Sequence, residues 1–550
     1  MIVLLFTPRY MELVAPQQQD SDQRVDSLLS QRPDQYAEKP IHNKTKALEK
    51  SRINTSQARV EKQKEILTTI KTPLYTATIS SFCGGSITKM TMNNYTKEIV
   101  DENNNTIDTV LVDIIKFDRD HPNLAVTITD LDGVALETTG PWALEREPSF
   151  ETINETTSLV YKKEVFPNQF IYKELIFDPT NYSIIINLDL LSINNKIFRD
   201  VGIGWYGGLA TTEKNDKDDQ TYFKSYVFQG EELEDLKIGT SDKKEEKLFN
   251  GSTDWVATRT KYFTSALIPI NRSLVSGAKL SGRKNNIETY DASLTFNGDL
   301  ENSFLLYLGP LEYDRISELG VGLESIMDFG WSFIRPISKG VLYSLKAIHN
   351  YIPNYGFVLI VFSFLVKILV YPLTKKSYQS TTAMQAIQPE ITALKEKYKS
   401  NPQKLNQATM ALYKEKGVNP LGGCLPMLLQ MPLLFALFVV FRTTIELRAE
   451  PFVWWIKDLS APDIIIMLPF EIPIYGGHVA ALPIFMVISM FIQQKMMSPG
   501  PQQPQQKTMQ YFMTGFFFLI FNSFPSGLNL YYTLFNILTI AQQKLLPSDS

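Results

Sequence analysis

The sequence predicts a multi-domain fold in which an all-β sandwich is followed by an α-helical membrane bundle of five spans with a helical hairpin. The chain has 550 residues, more than one hydrophobic core usually serves. From about residue 16 to residue 320 it is polar and rich in Asn and Thr, whereas long apolar stretches begin at Tyr355. Within the polar half, apolar and polar residues alternate as in half-buried strands.

Residues 1–70 are predicted to be an N-terminal remnant and a polar linker. Residues 2–6 are apolar, but Pro8 and Arg9 end the run well short of a membrane span or a signal-peptide core. The residues that follow are rich in Gln, Asp, Lys and Ser, a composition typical of a solvated linker.

Residues 71–325 are predicted to form the β-sandwich. Ile184, Ile186 and Leu188 alternate with Asn187 and Asp189, and breaks rich in Asn or Gly supply the turns. We see no pair of carboxylates, Ser/His/Asp set or Gly-rich phosphate loop in this region. A plain scaffold and a sugar- or peptide-binding module both remain open, because the fold alone does not give the function.

Residues 326–353 are predicted to form an amphipathic helix that lies flat at a membrane interface. Apolar residues recur at a spacing of three or four, with basic residues between them. The apolar positions are Ile334, Ile337, Val341, Leu345 and Ile348.

Residues 354–546 are predicted to contain five membrane spans, each close to the length that crosses the hydrocarbon core. Only three residues join the last two, which predicts a tight antiparallel hairpin. The predicted spans are residues 355–374, 421–441, 479–497, 509–524 and 528–544.

The lysine-rich segment 375–419 sets the predicted orientation, because short basic connections stay in the cytoplasm. The segment 442–478 and the sandwich then lie outside, and the C-terminus lies inside. Apolar residues at helical spacing on both sides of Pro402 predict a two-helix hairpin. The lysines of this hairpin could contact a ribosome or targeting factor, or they could serve only to fix the topology. The two roles are compatible. The candidate contacts are Lys395, Lys397 and Lys399.

Several ordered sequence blocks resemble the YidC/Oxa/Alb insertases of membranes, with a bacterial external domain. The external half is similar through WVATRTKYFTSALIP (255–269) and YLGP (307–310). The membrane half carries VYPLTKKSYQSTTAM (370–384), QPEITALKEKYK (388–399), ALYKEKGVNPLGGCLPMLLQMPLLFALF (411–438), IELRAEPFVWWIKDLSAPD (445–463), FIQQKM (491–496) and FPSGLNLYYTLFNILTIAQQ (524–543).

The resemblance implies a cation in the first span of this half, facing a hydrated groove open to cytoplasm and lipid. The family usually has Arg there, and this chain has Lys367. Ser363 matches a position of a small hydroxyl. Tyr531 and Tyr532 match an aromatic pair along which an inserting segment slides.

The residues support a groove on physical grounds as well. A lysine within a span costs about 2.5–3.5 kcal/mol on insertion scales, so it is expected to face water or protein. Further polar groups in other spans, Gln430, Gln493, Gln494, Asn522 and Asn536, also need partners or water. We expect these groups to gather with Lys367 in one wet recess.

The resemblance implies a non-enzymatic insertase and chaperone of the bacterial inner membrane with its large domain in the periplasm. Expected partners are nascent membrane proteins, the lipid bilayer and the Sec translocon, with the ribosome and signal recognition particle receptor as further candidates. Sequence-specific nucleic-acid binding and cofactors are not expected. Metals are not expected either, since the cysteines and histidines lack ligand-like spacing.

Two other function classes, a transporter and a sugar-active enzyme, fit the sequence less well. Transporters often show paired repeats and broken helices, and this sequence has neither two matching halves nor a second intramembrane charge. A sugar-active enzyme would carry paired carboxylates, and no convincing pair is found. Bacterial relatives with a sandwich begin with a spanning segment, so we expect either an upstream start, which we favour, or a truncated chain.

Overall fold

The structure, a computed structural model, describes most of the chain from residue 64 onward. The apolar remnant and most of the polar linker predicted at the N-terminus lie outside the described residues. The described ranges are residues 64–101, 106–146, 152–193, 198–239, 244–284, 287–296, 301–399, 401–418, 425–497 and 504–545.

The first part of the described chain is built almost entirely from strands, which confirms the predicted β-rich domain. Its strands are β1 Leu67–Lys71, β2 Tyr75–Ser80, β3 Ser86–Val100, β4 Thr106–Asp113, β5 Val126–Asp130, β6 Ala143–Arg146, β7 Thr157–Phe166, β8 Gln169–Phe177, β9 Ser183–Asp189, β10 Phe198–Trp205, β11 Lys224–Gln229, β12 Glu232–Leu236, β13 Lys244–Asn250, β14 Trp255–Arg259, β15 Phe263–Pro269, β16 Val275–Lys284, β17 Glu288–Phe296 and β18 Glu301–Pro310.

These strands form three antiparallel sheets. The orders are β1-β2-β3-β4, β13-β16-β17-β10-β5 and β12-β11-β14-β15-β18-β9-β8-β7-β6. The two larger sheets face each other, with β14 packed on β17 and β11 packed on β16. In β9 the side chains alternate between buried and half-buried positions, as its sequence pattern predicts.

Large aromatic side chains are buried in the core of the β-rich domain. Trp142, Trp205 and Trp255 are each at most 1% exposed. The Trp255 ring stacks on Phe228 with centroids 5.2 Å apart, and its Nε1 donates to the Val321 carbonyl over 2.9 Å. The indole nitrogen is therefore satisfied inside an apolar layer.

The second part of the chain is helical. Its helices, numbered after the short α1 Asp216–Gln220 and α2 Tyr313–Ser317 of the β-rich domain, are α3 Arg335–His349, α4 Tyr355–Ala386, α5 Gln388–Lys397, α6 Pro402–Glu415, α7 Leu425–Thr443, α8 Ala481–Met497, α9 Pro504–Phe521 and α10 Ser526–Leu545.

One stretch of the described helices, Tyr355–Pro372, is long and apolar enough to cross a membrane by length and composition. The helix that contains it, α4, continues past the apolar run to Ala386. Three shorter apolar stretches occupy residues 431–443, 481–496 and 510–521. The last helix, α10, packs mainly on α8 and α4. It also meets α9 where the Phe521 and Tyr532 rings touch edge to face.

Two structured elements lie between the longer apolar helices, and only the second was not predicted from the sequence. Helices α5 and α6 pack together through a small apolar core of Ile387, Ile391 and Leu412. The segment 442–478, predicted only as an external loop, contains a two-stranded sheet of β19 Ile464–Ile472 and β20 Gly476–Ala480. The run of isoleucines in β19 fits strand propensity, but hydropathy alone does not distinguish it from loop.

Charged side chains join the β-rich domain to the helices. Asp218, at α1, accepts hydrogen bonds from Lys261 Nζ over 2.8 Å and from Arg442 of α7 over 2.9 Å. Burial alone would raise the pKa of Asp218, but the two neighbouring cations outweigh it and lower the pKa. This carboxylate therefore stays ionised between its two partners.

A second ion pair reinforces the same junction. Arg448 Nε lies 2.8 Å from Glu213, and the Arg448 side chain is 4% exposed. Its guanidinium also donates to the Thr212 carbonyl over 3.1 Å.

We predict that Arg448→Ala lowers the free energy of unfolding by about 3–5 kcal/mol, because it removes a buried guanidinium and leaves Glu213, only 16% exposed, without its cation. Thermal unfolding of the full chain in detergent measures this. Arg272→Ala is the matched control, since Arg272 pairs with Asp254 over 2.8 Å but is 71% exposed. Its loss should cost at most about 1 kcal/mol. Equal losses in the two variants would contradict a buried junction.

Lys173 of β8 is fully buried, and its Nζ donates to the carbonyls of Leu124 over 2.6 Å and Cys83 over 3.3 Å. Burial lowers the pKa of Lys173 to about 7 from 10.5. Between about pH 7 and pH 10.5, Lys173 is protonated in the unfolded chain but largely neutral in the folded chain, so the unfolded chain binds more protons. We therefore predict that stability rises with pH over this range and that Lys173→Met flattens the rise. The fluorescence of the buried tryptophans reports unfolding.

The control for Lys173 is Lys162→Met on the neighbouring strand β7, where the ammonium pairs with Glu145 over 2.8 Å at the surface. This variant should keep the pH dependence of the parent protein. A slope that persists in Lys173→Met would assign the effect to another group.

Candidate functional site

Lys367 lies on α4 and reaches α10, and its side chain is largely buried. Its Nζ donates to the Thr539 hydroxyl over 2.7 Å and sits 4.7 Å from the centroid of the Phe535 ring. Lys367 is 8% exposed. Among the described residues no carboxylate lies within ion-pair distance of this amine. The ammonium has three donors, and the described residues supply one hydroxyl and one aromatic face.

Ser363 lies four residues before Lys367 and therefore on the same face of α4. It is fully buried, and its hydroxyl donates to the Leu359 carbonyl of its own helix over 2.7 Å. Its neighbour Phe362 contacts the Tyr531 ring of α10, with centroids 6.0 Å apart. Small and aromatic residues thus let α4 and α10 pack closely around the amine.

Two further hydrogen bonds link α8 to its neighbours in the bundle. Asn536 of α10 donates from Nδ2 to the Ser489 hydroxyl of α8 over 3.2 Å. Gln494 of α8 accepts from the Thr514 hydroxyl of α9 over 3.3 Å. Together with the bond from Lys367 to Thr539, these contacts join α4, α10, α8 and α9 in sequence.

Tyr531 and Tyr532 are both buried, at 0% and 8% exposure, which differs from an open surface for a sliding client. Tyr531 stacks on Phe535, and Tyr532 meets the edge of Phe521. Neither hydroxyl has a hydrogen-bond partner among the described residues. Helix packing around the two rings, which single-sequence patterns do not reveal, accounts for the burial.

Other predicted polar groups do not join this cluster. Asn522 lies just beyond the end of α9, where it binds the backbone of the β19–β20 sheet through the Ala480 N–H and the His478 carbonyl. Its expected place in the recess is therefore wrong, because these backbone groups satisfy its amide. Gln430 is on α7, but its side chain lies outside the described residues.

The candidate lysines of α5 and the turn after it lie at the surface. Lys397 and Lys399 are exposed and Lys395 is half-buried. The Lys397 ammonium lies 5.5 Å from the ring centroid of Tyr398. Across the two helices, Lys416 pairs with Glu390 over 2.7 Å, so part of the positive charge is already compensated.

Sequence reasoning did not identify Thr539 and Phe535 as neighbours of the buried amine. A signal was available, because Tyr531, Phe535 and Thr539 repeat every four residues and so share one face of α10. What was missing was the partner helix. Nothing in the spacing says that this face meets α4.

Comparisons with known proteins match both halves of the chain. A family described as the YidC periplasmic domain matches residues 67–339, and one described as the 60Kd inner membrane protein matches residues 347–549. The membrane protein insertase YidC of Chlorobium luteolum is 40% identical over 410 residues, which covers 72% of this chain and 69% of that protein. The YidC of Chlorobaculum tepidum is 34% identical over 503 residues, covering 89% and 82%.

A solved structure, described as an active YidC insertase with its first transmembrane domain resolved, also aligns with this chain. It has 16% sequence identity and a TM-score of 0.36, and the alignment covers 89% of this chain and 94% of that one.

We predict that Tyr531→Phe and Tyr532→Phe leave thermal stability unchanged or raise it, because each removes a buried hydroxyl that has no protein partner. Tyr307→Phe is the control, since that buried hydroxyl donates to the Pro310 carbonyl over 2.6 Å. It should cost about 1 kcal/mol. Marked destabilisation by the membrane-half variants would mean that their hydroxyls are hydrogen-bonded, for example to water.

Proposed function

Because the chain belongs to the YidC family of membrane protein insertases, which act without catalysing a reaction, we propose that nascent membrane proteins enter the bilayer along a hydrated groove around Lys367. The groove opens to the cytoplasm and sideways to lipid. In this proposal Ser363, Gln430 and Gln494 line it, and Tyr531 and Tyr532 form its aromatic wall.

The proposal rests on the few contacts that the described residues make with the Lys367 amine. One hydroxyl and one ring face contact it, and no described carboxylate neutralises it. An ammonium within a span is costly unless water or a counter-charge reaches it. Water entering from the cytoplasmic side supplies that solvation, and an acidic residue of a client supplies the counter-charge during insertion.

The driving force for insertion is the transfer of the client's apolar segment into lipid. The cation attracts acidic residues in the short external tail of a client and brings them into the bundle. The apolar segment then leaves sideways, where burial of its surface is favourable without nucleotide hydrolysis. The buried aromatic pair comes into contact with a client once the surrounding helices separate.

The proposed topology has five spans, with α4 and α7 to α10 crossing the membrane. The C-terminus and the α5–α6 hairpin are cytoplasmic, the latter because of its lysines. Stretches of apolar helix shorter than the bilayer, such as residues 431–443 and 510–521, are accommodated by local thinning. Thinning around the groove would lower the barrier for a client's polar tail.

The α5–α6 hairpin is the proposed contact for the delivery machinery. Lys395, Lys397 and Lys399 give it a basic face that suits the ribosome or the signal recognition particle receptor. In this proposal the protein acts alone or together with the Sec translocon. The periplasmic domain acts as a scaffold for the membrane half through the ion pairs at their junction.

The test of the groove uses charge and geometry variants of Lys367. We predict that Lys367→Arg retains insertion, because the positive charge remains, and that Lys367→Met, which is neutral and of similar length, loses it. Insertion is measured as protease protection of a single-span client in vesicles containing the purified protein. The loss should be largest for clients whose external tail carries acidic residues.

Two controls separate charge from other effects. Thr539→Val removes the hydrogen bond to the amine but keeps the charge, so it should insert clients nearly as well as the parent protein. A client with a neutral tail should respond weakly to every variant. Equal activity of Lys367→Arg and Lys367→Met on the acidic-tailed client would refute the proposed role of the cation.

A further inference from the structure

The β19–β20 hairpin, residues 464–480, exposes an unusual amount of apolar surface. The segment has one carboxylate, Glu471, and no lysine or arginine. Single exposed apolar residues are common, but a contiguous group of this size marks an interaction surface. Six large apolar side chains are between 36% and 62% exposed: Ile465, Ile466, Met467, Phe470, Ile472 and Ile474.

Both faces of the hairpin are apolar, and this identifies the partner. Successive side chains of a strand point to opposite faces of the sheet. Ile466 and Met467 are neighbours in β19 that pair in regular register with Val479 and His478, and they are 56% and 45% exposed. A protein docked on one face would leave the other apolar face in water, whereas lipid can surround both.

The hairpin is attached to the end of the membrane bundle. Strand β20 ends at Ala480, and α8 begins at the next residue. Asn522, just after α9, accepts from the Ala480 N–H over 2.9 Å and donates to the Tyr475 carbonyl over 2.9 Å. The Tyr475 ring lies 5.4 Å from that of Phe518, in the last turn of α9.

Two tryptophans that shortly precede the hairpin in sequence also indicate a location at the membrane interface. Trp455 donates from Nε1 to Asp463 over 2.9 Å, and Asp463 also accepts from the N–H of Leu482 at the start of α8. Trp454 is 87% exposed and stacks on Trp455. Tryptophan favours the boundary between headgroups and acyl chains.

The depth of the hairpin in the membrane follows from the unpaired backbone groups at the edges of its two strands. A two-stranded sheet has two open edges, and unpaired backbone groups are not tolerated in the hydrocarbon core. Water reaches such groups in the headgroup layer. We propose that residues 464–480 are embedded in the interfacial layer of the outer leaflet and anchor the ends of α8 and α9 there. The side of the membrane rests on the proposed topology, but the depth does not.

The test places a nitroxide on each face of the hairpin in the full chain, using Ile466→Cys and Met467→Cys in vesicles of phosphatidylethanolamine and phosphatidylglycerol. Cys424→Ser is the background, and Cys83 is 1% exposed and should not label. The ratio of collision rates with oxygen and with a water-soluble nickel complex reports lipid contact. Leu248→Cys, on a strand of the β-rich domain and 73% exposed, is the control.

We expect a higher oxygen-to-nickel ratio at both hairpin positions than at residue 248. Ratios like that of residue 248 would place the hairpin in water, and low accessibility to both reagents at one position would indicate a protein partner; either result overturns the proposal. Reduction by a membrane-impermeant reagent added outside tests the side separately. Lipid contact with the opposite sidedness would reject the topology while keeping the interfacial depth.

Discussion

The ammonium of Lys367 inside an apolar helix bundle is the constraint on which the proposed mechanism depends. A charge at this position must be solvated or neutralised, and the bundle offers it the Thr539 hydroxyl and the Phe535 ring. This incomplete solvation is what distinguishes a binding position from a structural ion pair. In the proposed mechanism, an acidic residue of the client supplies the counter-charge that the described residues do not provide.

The contacts at the periplasmic junction have the opposite character. Asp218 is held between Lys261 and Arg442, and Arg448 is held by Glu213 and a carbonyl, so these charges are satisfied within the protein. Breaking such buried pairs is costly. The junction charges are paired within the protein, whereas Lys367 in the bundle has no carboxylate partner among the described residues, and the two sets of charges therefore suit different roles. In the proposed mechanism the junction holds the helices in place, and the Lys367 ammonium is available to an acidic residue of a client.

The membrane half shows a similar contrast between its polar groups. Asn522 is fully engaged with the backbone of the β19–β20 hairpin, whereas Asn536 and Gln494 each bond one hydroxyl on a neighbouring helix. A side chain saturated by backbone groups has a structural role, and one with spare donors can exchange partners. By this criterion the polar contacts between α4, α10, α8 and α9 suit the proposed groove, and Asn522 suits the proposed anchor of the hairpin.

The sequence by itself determined the β-rich and helical halves, the family and the presence of Lys367, because strand alternation, apolar runs and a charge within a span are local patterns. It did not determine the partners of that charge. Thr539 lies 172 positions from Lys367 along the chain, and Asn522 lies 44 positions from His478. The burial of Tyr531 and the exposed apolar faces of β19 were also decided by tertiary structure. The physical reason is the same in each case: a residue's periodicity shows which face of its own element it occupies, but only helix and sheet packing decides what that face meets.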